Sequence, residues 1–141
     1  MKISEHFIIQ EFVPPEIYQK YGNSSIWFID KRIVDIAEWL RNKLGTRIIV
    51  NSWHSSGNLE YSGFRVPDSK TGAKLSQHKF GRACDIHVAN YEYEYIRQLI
   101  RDNFSELNRL GLTTIEKDTP YWVHFDTRWT GKNCLIEVPY L

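Results

Sequence analysis

The stretch from Asp30 to Gly45, DKRIVDIAEWLRNKLG, constrains this chain more than any other. Ile33, Ile36, Ala37, Leu40 and Leu44 recur at intervals of three and four residues, which puts them on one face of an α-helix. Asp30 stands where a side-chain oxygen caps the first free N–H groups, and Gly45 where the chain leaves the helix. A helix with one apolar face is stable only against a second layer, so the rest of the chain must supply one.

The segments that follow suggest what that layer is. Thr46 to Val50 (TRIIV) reads as a short, largely buried strand, because β-branched residues dominate and a helix breaker precedes it. Asn51 to Leu75 is rich in Ser, Gly, Asn, Asp, Pro and Lys and reads as an irregular loop, long enough to expect a function of it. A second helix is expected from Tyr91 to Leu110, with Ile96, Leu99, Ile100, Phe104, Leu107 and Leu110 as its stripe and Gly111 closing it. Leu112 to Glu116 and Trp122 to Thr127 read as strands separated by a Lys-Asp-Thr-Pro turn. With 141 residues, 42% of them hydrophobic, the chain suits one core. The expectation is a single α+β domain over residues 1–141, with a mainly antiparallel sheet and flanking helices.

Charge narrows the function classes. A formal net charge of +1, from 18 basic and 17 acidic side chains, gives no electrostatic ground for a nucleic-acid partner. The N-terminus lacks the uninterrupted apolar run of a secretory signal, and no segment approaches the roughly twenty apolar residues of a membrane span. We therefore expect a protein that is cytoplasmic at synthesis, without a membrane span, and monomeric. There is no glycine-rich phosphate loop. Cys84 and Cys134 are too few for a disulfide framework and read as two reduced, mostly buried thiols, which pair only if the fold brings them together.

The chemistry concentrates in Ser76 to His87, SQHKFGRACDIH. His78 offers an imidazole nitrogen and Asp85 a carboxylate oxygen, and two such ligands with a third histidine suit zinc with one position open for water. In Tyr121 to Arg128 (YWVHFDTR), strand alternation puts Val123 and Phe125 on one face and Trp122, His124 and Asp126 on the other, so His124 supplies the third ligand. Gly81 lets the backbone turn between the first two ligands, and Ala83 leaves space beneath them. His6, His54 and His87 read as ordinary polar or hydrogen-bonded residues. Trp53, Trp122 and Trp129 either line a substrate groove or belong to the core.

The pattern His78-x-x-Gly81-x-Ala83-x-Asp85, preceded by Ser76 and followed downstream by Trp122-Val123-His124-x-Asp126, closely resembles the zinc D-Ala-D-Ala peptidase family M15. That family includes D-alanyl-D-alanine carboxypeptidases and phage endolysins and shares its fold with the Hedgehog signalling domain. The resemblance implies His78, Asp85 and His124 as zinc ligands and a peptidoglycan peptide as substrate, in a lysin-like role. It also implies an oxyanion-stabilising arginine, for which Arg65 in Ser62-Gly63-Phe64-Arg65 is the match. The family's base lies two or three residues before the last histidine, where this chain carries Trp122 and Tyr121. The base must come from elsewhere: Glu116, if the two strands pair as a hairpin, or Asp126, whose other role would be to hold a ligand or an arginine in place. The alternative to a hydrolase is a zinc-stabilised, non-catalytic module that binds cell wall or forms part of a phage particle.

Overall fold

The computed structural model describes residues 1–140. Its elements in chain order are helix α1 (Pro15–Tyr21), helix α2 (Lys31–Leu44), strand β1 (Ala83–Ile86), helices α3 (Tyr93–Asp102) and α4 (Phe104–Leu110), and strands β2 (Thr114–Glu116), β3 (Val123–Asp126) and β4 (Ile136–Val138). Short 3-10 turns at Ile9–Glu11, Gly22–Phe28, Trp53–Ser55 and Gln77–Phe80 join them. The four strands form one sheet in the order β1-β3-β2-β4, with β1 and β2 antiparallel to β3 and β4 parallel to β2. The fold is thus a small α+β domain with a mixed sheet, and β4 is the strand that departs from the antiparallel expectation.

The α2 helix forms where its stripe and caps place it. Asp30 accepts a hydrogen bond from the Arg32 N–H, and Gly45 ends the helix in the left-handed conformation. Its buried Ile33, Ile36, Ala37, Leu40 and Leu44 share one core with Cys84 and Ile86 of β1, Ile115 of β2, and Val123 and Phe125 of β3. Ile96, Ile100 and Leu107 close that core from α3 and α4. One face of the sheet is therefore committed to apolar packing, and period-two alternation leaves Asp85, His124, Asp126, Thr114 and Glu116 to the other.

Two expected elements take a different form. The helix expected over 91–110 is broken at Asn103, whose backbone leaves helical geometry (φ −117°, ψ 23°) while its side-chain amide donates to the Leu99 carbonyl. An asparagine whose side chain donates to the carbonyl four residues earlier competes with helix propagation, and beyond the break α4 brings Leu107 into the core. Thr46 to Val50 is not a strand but a single bridge, in which Ile49 exchanges backbone hydrogen bonds with His87. Its pairing stops there because the next free donor, the Asn51 N–H, is taken by the Glu11 carbonyl. Cys84 is buried, Cys134 is exposed, and both are free thiols.

Candidate metal centre

Three side chains that are distant in sequence meet on the polar face of the sheet. The register that pairs Val123 with Ile86 and Phe125 with Cys84 over the core places His124 directly beside Asp85. His78 arrives from the turn Gln77–Phe80, which ends at Gly81 in the left-handed conformation (φ +70°), where any side chain would run into the Phe28 carbonyl. Ligand atoms of His78, Asp85 and His124 lie within 4.8 Å of one another, all three residues are buried, and together they could hold a metal ion. The His78 Nε2 is 3.3 Å and the His124 Nδ1 2.9 Å from the same oxygen, Asp85 Oδ1. The two rings meet edge to face, centroids 5.1 Å apart.

The partners of the outer nitrogens decide which inner ones carry lone pairs. His78 Nδ1 lies 2.8 Å from the Gly63 carbonyl, which only accepts, so Nδ1 carries the proton and Nε2 presents its lone pair to the cluster. His124 Nε2 lies 2.8 Å from Asp126 Oδ2 and donates there, which leaves Nδ1 aimed at the Asp85 carboxylate. An imidazole lone pair and a carboxylate oxygen that close together repel unless a positive charge sits between them. A divalent cation satisfies both, and so does a proton. Burial disfavours the His124 imidazolium, but hydrogen bonds and negative charge from Asp126 and Asp85 outweigh burial and raise its pKa to about 10. Burial likewise disfavours the Asp85 carboxylate, yet His78 and His124 beside it hold the group well below the usual range.

Arg65 and Glu116 flank this cluster, the first beside Asp85 and the second beside His124. Arg65 comes from the Asn51–Leu75 loop, which is pinned when Phe64 N–H donates to the Phe12 carbonyl and Arg65 N–H to that of His78. Its Nε donates to the Tyr61 carbonyl and its Nη2 sits 3.4 Å from Asp85 Oδ2. Glu116 follows Ile115 in the register and so comes beside His124, with Oε1 3.6 Å from Nδ1. Its other oxygen, Oε2, is buried without a hydrogen-bond partner. Burial pushes the Glu116 pKa up, with Asp85 and Asp126 adding to it and His124 and Arg128 opposing.

Asp126, fully buried, does not line the cleft. It accepts from His124 Nε2 and from Arg128 through Nε at 2.8 Å and Nη2 at 2.6 Å, so it orients a ligand and anchors an arginine. Arg128 and the Gly63 carbonyl were not singled out by the sequence. The spacing of Arg128, two residues beyond Asp126, is a usable signal for the first, whereas nothing in a side-chain pattern marks a backbone carbonyl. Asp30, expected only as a helix cap, has a second role: its N–H donates to the Gly81 carbonyl and its Oδ2 accepts from the Thr127 hydroxyl, tying α2 to the segments that carry His78 and His124.

A cleft of about 250 Å³ opens over the cluster, lined by His78, Asp85, Glu116, His124, Arg65 and Arg128 among others. Trp122 lines it, whereas Trp53 donates to the Val13 carbonyl and Trp129 projects into solvent. Of the other histidines, His6 pairs with Glu38, while His87 bonds to Tyr121 and Ser62 beside the cleft. No helix is long and apolar enough to cross a membrane among the described residues. This chain matches no family model, no curated protein and no solved structure.

Proposed function

We propose that this protein is a zinc-dependent hydrolase of peptidoglycan stem-peptide bonds involving D-amino acids, working as a carboxypeptidase or endopeptidase. The observation that carries the reading is the half-buried Glu116 carboxylate beside a cluster that could hold a metal, with one buried oxygen unpartnered. Buried polar atoms are nearly always satisfied, so an orphan of this kind, next to a cleft, marks a group whose partner arrives with substrate. Two imidazoles and one carboxylate are a donor set that suits zinc, and the motif around them supplies the substrate class. When bound by His78, Asp85 and His124, zinc polarises the scissile carbonyl and brings the pKa of a water ligand toward about 7.

The chain's own groups do the rest. Glu116 takes the proton of the attacking water at Oε2 and returns it to the leaving amine, a transfer that its burial-raised pKa favours. Arg65, held between the Tyr61 carbonyl and Asp85, offers guanidinium N–H groups to the carbonyl oxygen as it gains negative charge. Asp126 and the Gly63 carbonyl keep the two imidazoles in the tautomers that ligation needs.

The test is release of D-alanine or cut stem peptide from purified peptidoglycan, alongside elemental analysis. The native protein is expected to hold stoichiometric zinc and release product, His78→Ala to lose both, and Glu116→Gln to keep zinc while turnover falls about 10²- to 10⁴-fold. Stoichiometric zinc without product at any pH would leave the non-catalytic wall-binding module. Unchanged turnover in Glu116→Gln would remove that residue as the base.

A further inference from the structure

The cleft over the cluster opens on one side into a wider lobe of about 560 Å³, which shares Arg65, Asp85, Trp122 and Tyr140 with it. Aromatic rings surround this lobe. Trp122 and Tyr140 belong to the shared wall, whereas Tyr61 and Tyr121 line the wide lobe alone. Three of the four lie open to solvent, Tyr121 at 74%, Tyr140 at 46% and Tyr61 at 37% exposure. Single exposed rings are ordinary on a protein surface, but several around one concavity make the kind of patch that marks a binding site. The shared wall is set before any ligand arrives: Trp122 and Tyr140 meet edge to face with centroids 5.1 Å apart, and the Tyr140 N–H donates to the Asp118 carboxylate.

The polar groups of the lobe narrow the ligand. Among the described residues Arg65 is the one arginine or lysine that lines it, and Asp85 already pairs with that guanidinium, so an anionic ligand meets no free cation. An added peptide strand finds no open edge either. β1 is the edge strand on this side, but the Asp85 N–H donates to the Ser62 carbonyl and the His87 N–H just beyond it to that of Ile49. What remains is neutral or accepting. The Asn58 amide and the Thr71 hydroxyl form no hydrogen bond among the described residues, and the Glu60 carboxylate pairs with no basic side chain among them.

We infer that the wide lobe is a sugar subsite, which takes an N-acetylated amino-sugar unit of a neutral glycan beside the cleft that takes the peptide. The inference rests on the peptidoglycan reading and deepens it, because a stem peptide hangs from a glycan and the two hollows adjoin. A pyranose ring carries C–H bonds on its faces and hydroxyls around its edge, so it suits aromatic walls set among uncharged or accepting polar groups. The Glu60 carboxylate accepts from ring hydroxyls in charge-assisted hydrogen bonds. The Asn58 side chain offers a donor and an acceptor that match those of an acetamido group. The size of the lobe falls within the range of about 300–1,000 Å³ typical of sites that enclose small ligands.

The test uses a sugar that carries no peptide, so it reads binding whether or not hydrolysis occurs. The native protein is titrated with tetra-N-acetylchitotetraose and with cellotetraose, which has hydroxyls in place of the acetamido groups, following tryptophan fluorescence or heat. The acetylated sugar is expected to bind, and cellotetraose to bind about fivefold more weakly. Tyr61→Ala and Tyr121→Ala each remove an exposed ring and are expected to weaken the acetylated sugar about fivefold while urea unfolding stays native. No binding, equal affinity for the two sugars, or an affinity untouched by both substitutions overturns the inference. So does a pair of substitutions that weaken L-Lys-D-Ala-D-Ala and spare the sugar, since the lobe then holds peptide. A protein that binds the sugar in this way yet releases no product from peptidoglycan fails as a hydrolase and keeps its sugar subsite; one that releases product but ignores the sugar does the reverse.

Discussion

Replacing Asp126 by Asn isolates the part of the centre that touches no substrate. Asp126 is fully buried and accepts four hydrogen bonds: from His124 Nε2 at 2.8 Å, from Arg128 Nε at 2.8 Å and Nη2 at 2.6 Å, and from the Arg128 N–H at 3.2 Å. The amide keeps the shape but loses the charge, and it offers one carbonyl oxygen where two carboxylate oxygens serve four donors. Either His124 and the Arg128 Nη2 lose their acceptor, or the Arg128 Nε and N–H do. If His124 does, the imidazole is no longer fixed with Nδ1 toward the cluster. Loss of such an outer partner typically costs 10- to 100-fold in metal affinity, about 1.4–2.8 kcal/mol. Breaking a fully buried ion pair costs about 3–5 kcal/mol in stability, but the Arg128 side chain is 30% exposed and water can take over part of its solvation, so about 1–3 kcal/mol is expected here. Zinc affinity is measured by competition with a chromogenic chelator, and stability of the metal-free protein by urea unfolding. A folded Asp126→Asn protein with both native zinc affinity and native metal-free stability would refute the assignment of Asp126 as the residue that orients His124 and anchors Arg128.

Further expectations follow from the residues that position the ligands. Gly81→Ala places a side chain against the Phe28 carbonyl at a backbone angle that disfavours one, and is expected to cost more than about 2 kcal/mol in urea unfolding; a loss below 0.5 kcal/mol on the order of experimental error would mean the turn carrying His78 relaxes freely. Asp30→Ala removes a helix cap and the Thr127 bond, about 1–3 kcal/mol at pH 7. Burial raises the Asp30 pKa, but hydrogen bonds from Arg32 and Thr127 outweigh it and hold the group below its ordinary value. Its charge-dependent stabilisation is therefore complete above about pH 4 and is lost as pH falls through the lower folded-state value, so the gap between native and Asp30→Ala should narrow in acid. A gap constant from pH 6 to pH 2 would show that the carboxylate charge contributes nothing.

Much of this arrangement is legible in the sequence where a pattern repeats. The α2 helix was readable from end to end because its stripe, its Asp30 cap and its Gly45 stop all agree. The members of the cluster that could hold a metal were readable because His78, Asp85 and His124 are chemically distinctive and β3 alternates cleanly. Less was readable where a single hydrogen bond decides the outcome. Asn103 breaks a helix whose apolar stripe runs on through it, and the Glu11 carbonyl halts the pairing of a segment with every β-branched credential. The strand β4 has three residues, pairs in parallel and buries none of them fully, so its pattern was too short to read. The chemical roles were hardest, because the difference between Glu116 and Asp126 lies in which way a carboxylate faces and what it meets there.

The division of β3 into an apolar and a ligand-bearing face makes its alignment self-checking. Sliding that strand by one position would bury an imidazole and a carboxylate among Ile and Leu side chains and turn two hydrocarbon groups toward the cluster. Misaligned chains would then forfeit their interior and the cluster that could hold an ion in the same error, so metal taken up at that cluster in a refolding experiment would double as a count of molecules that threaded correctly.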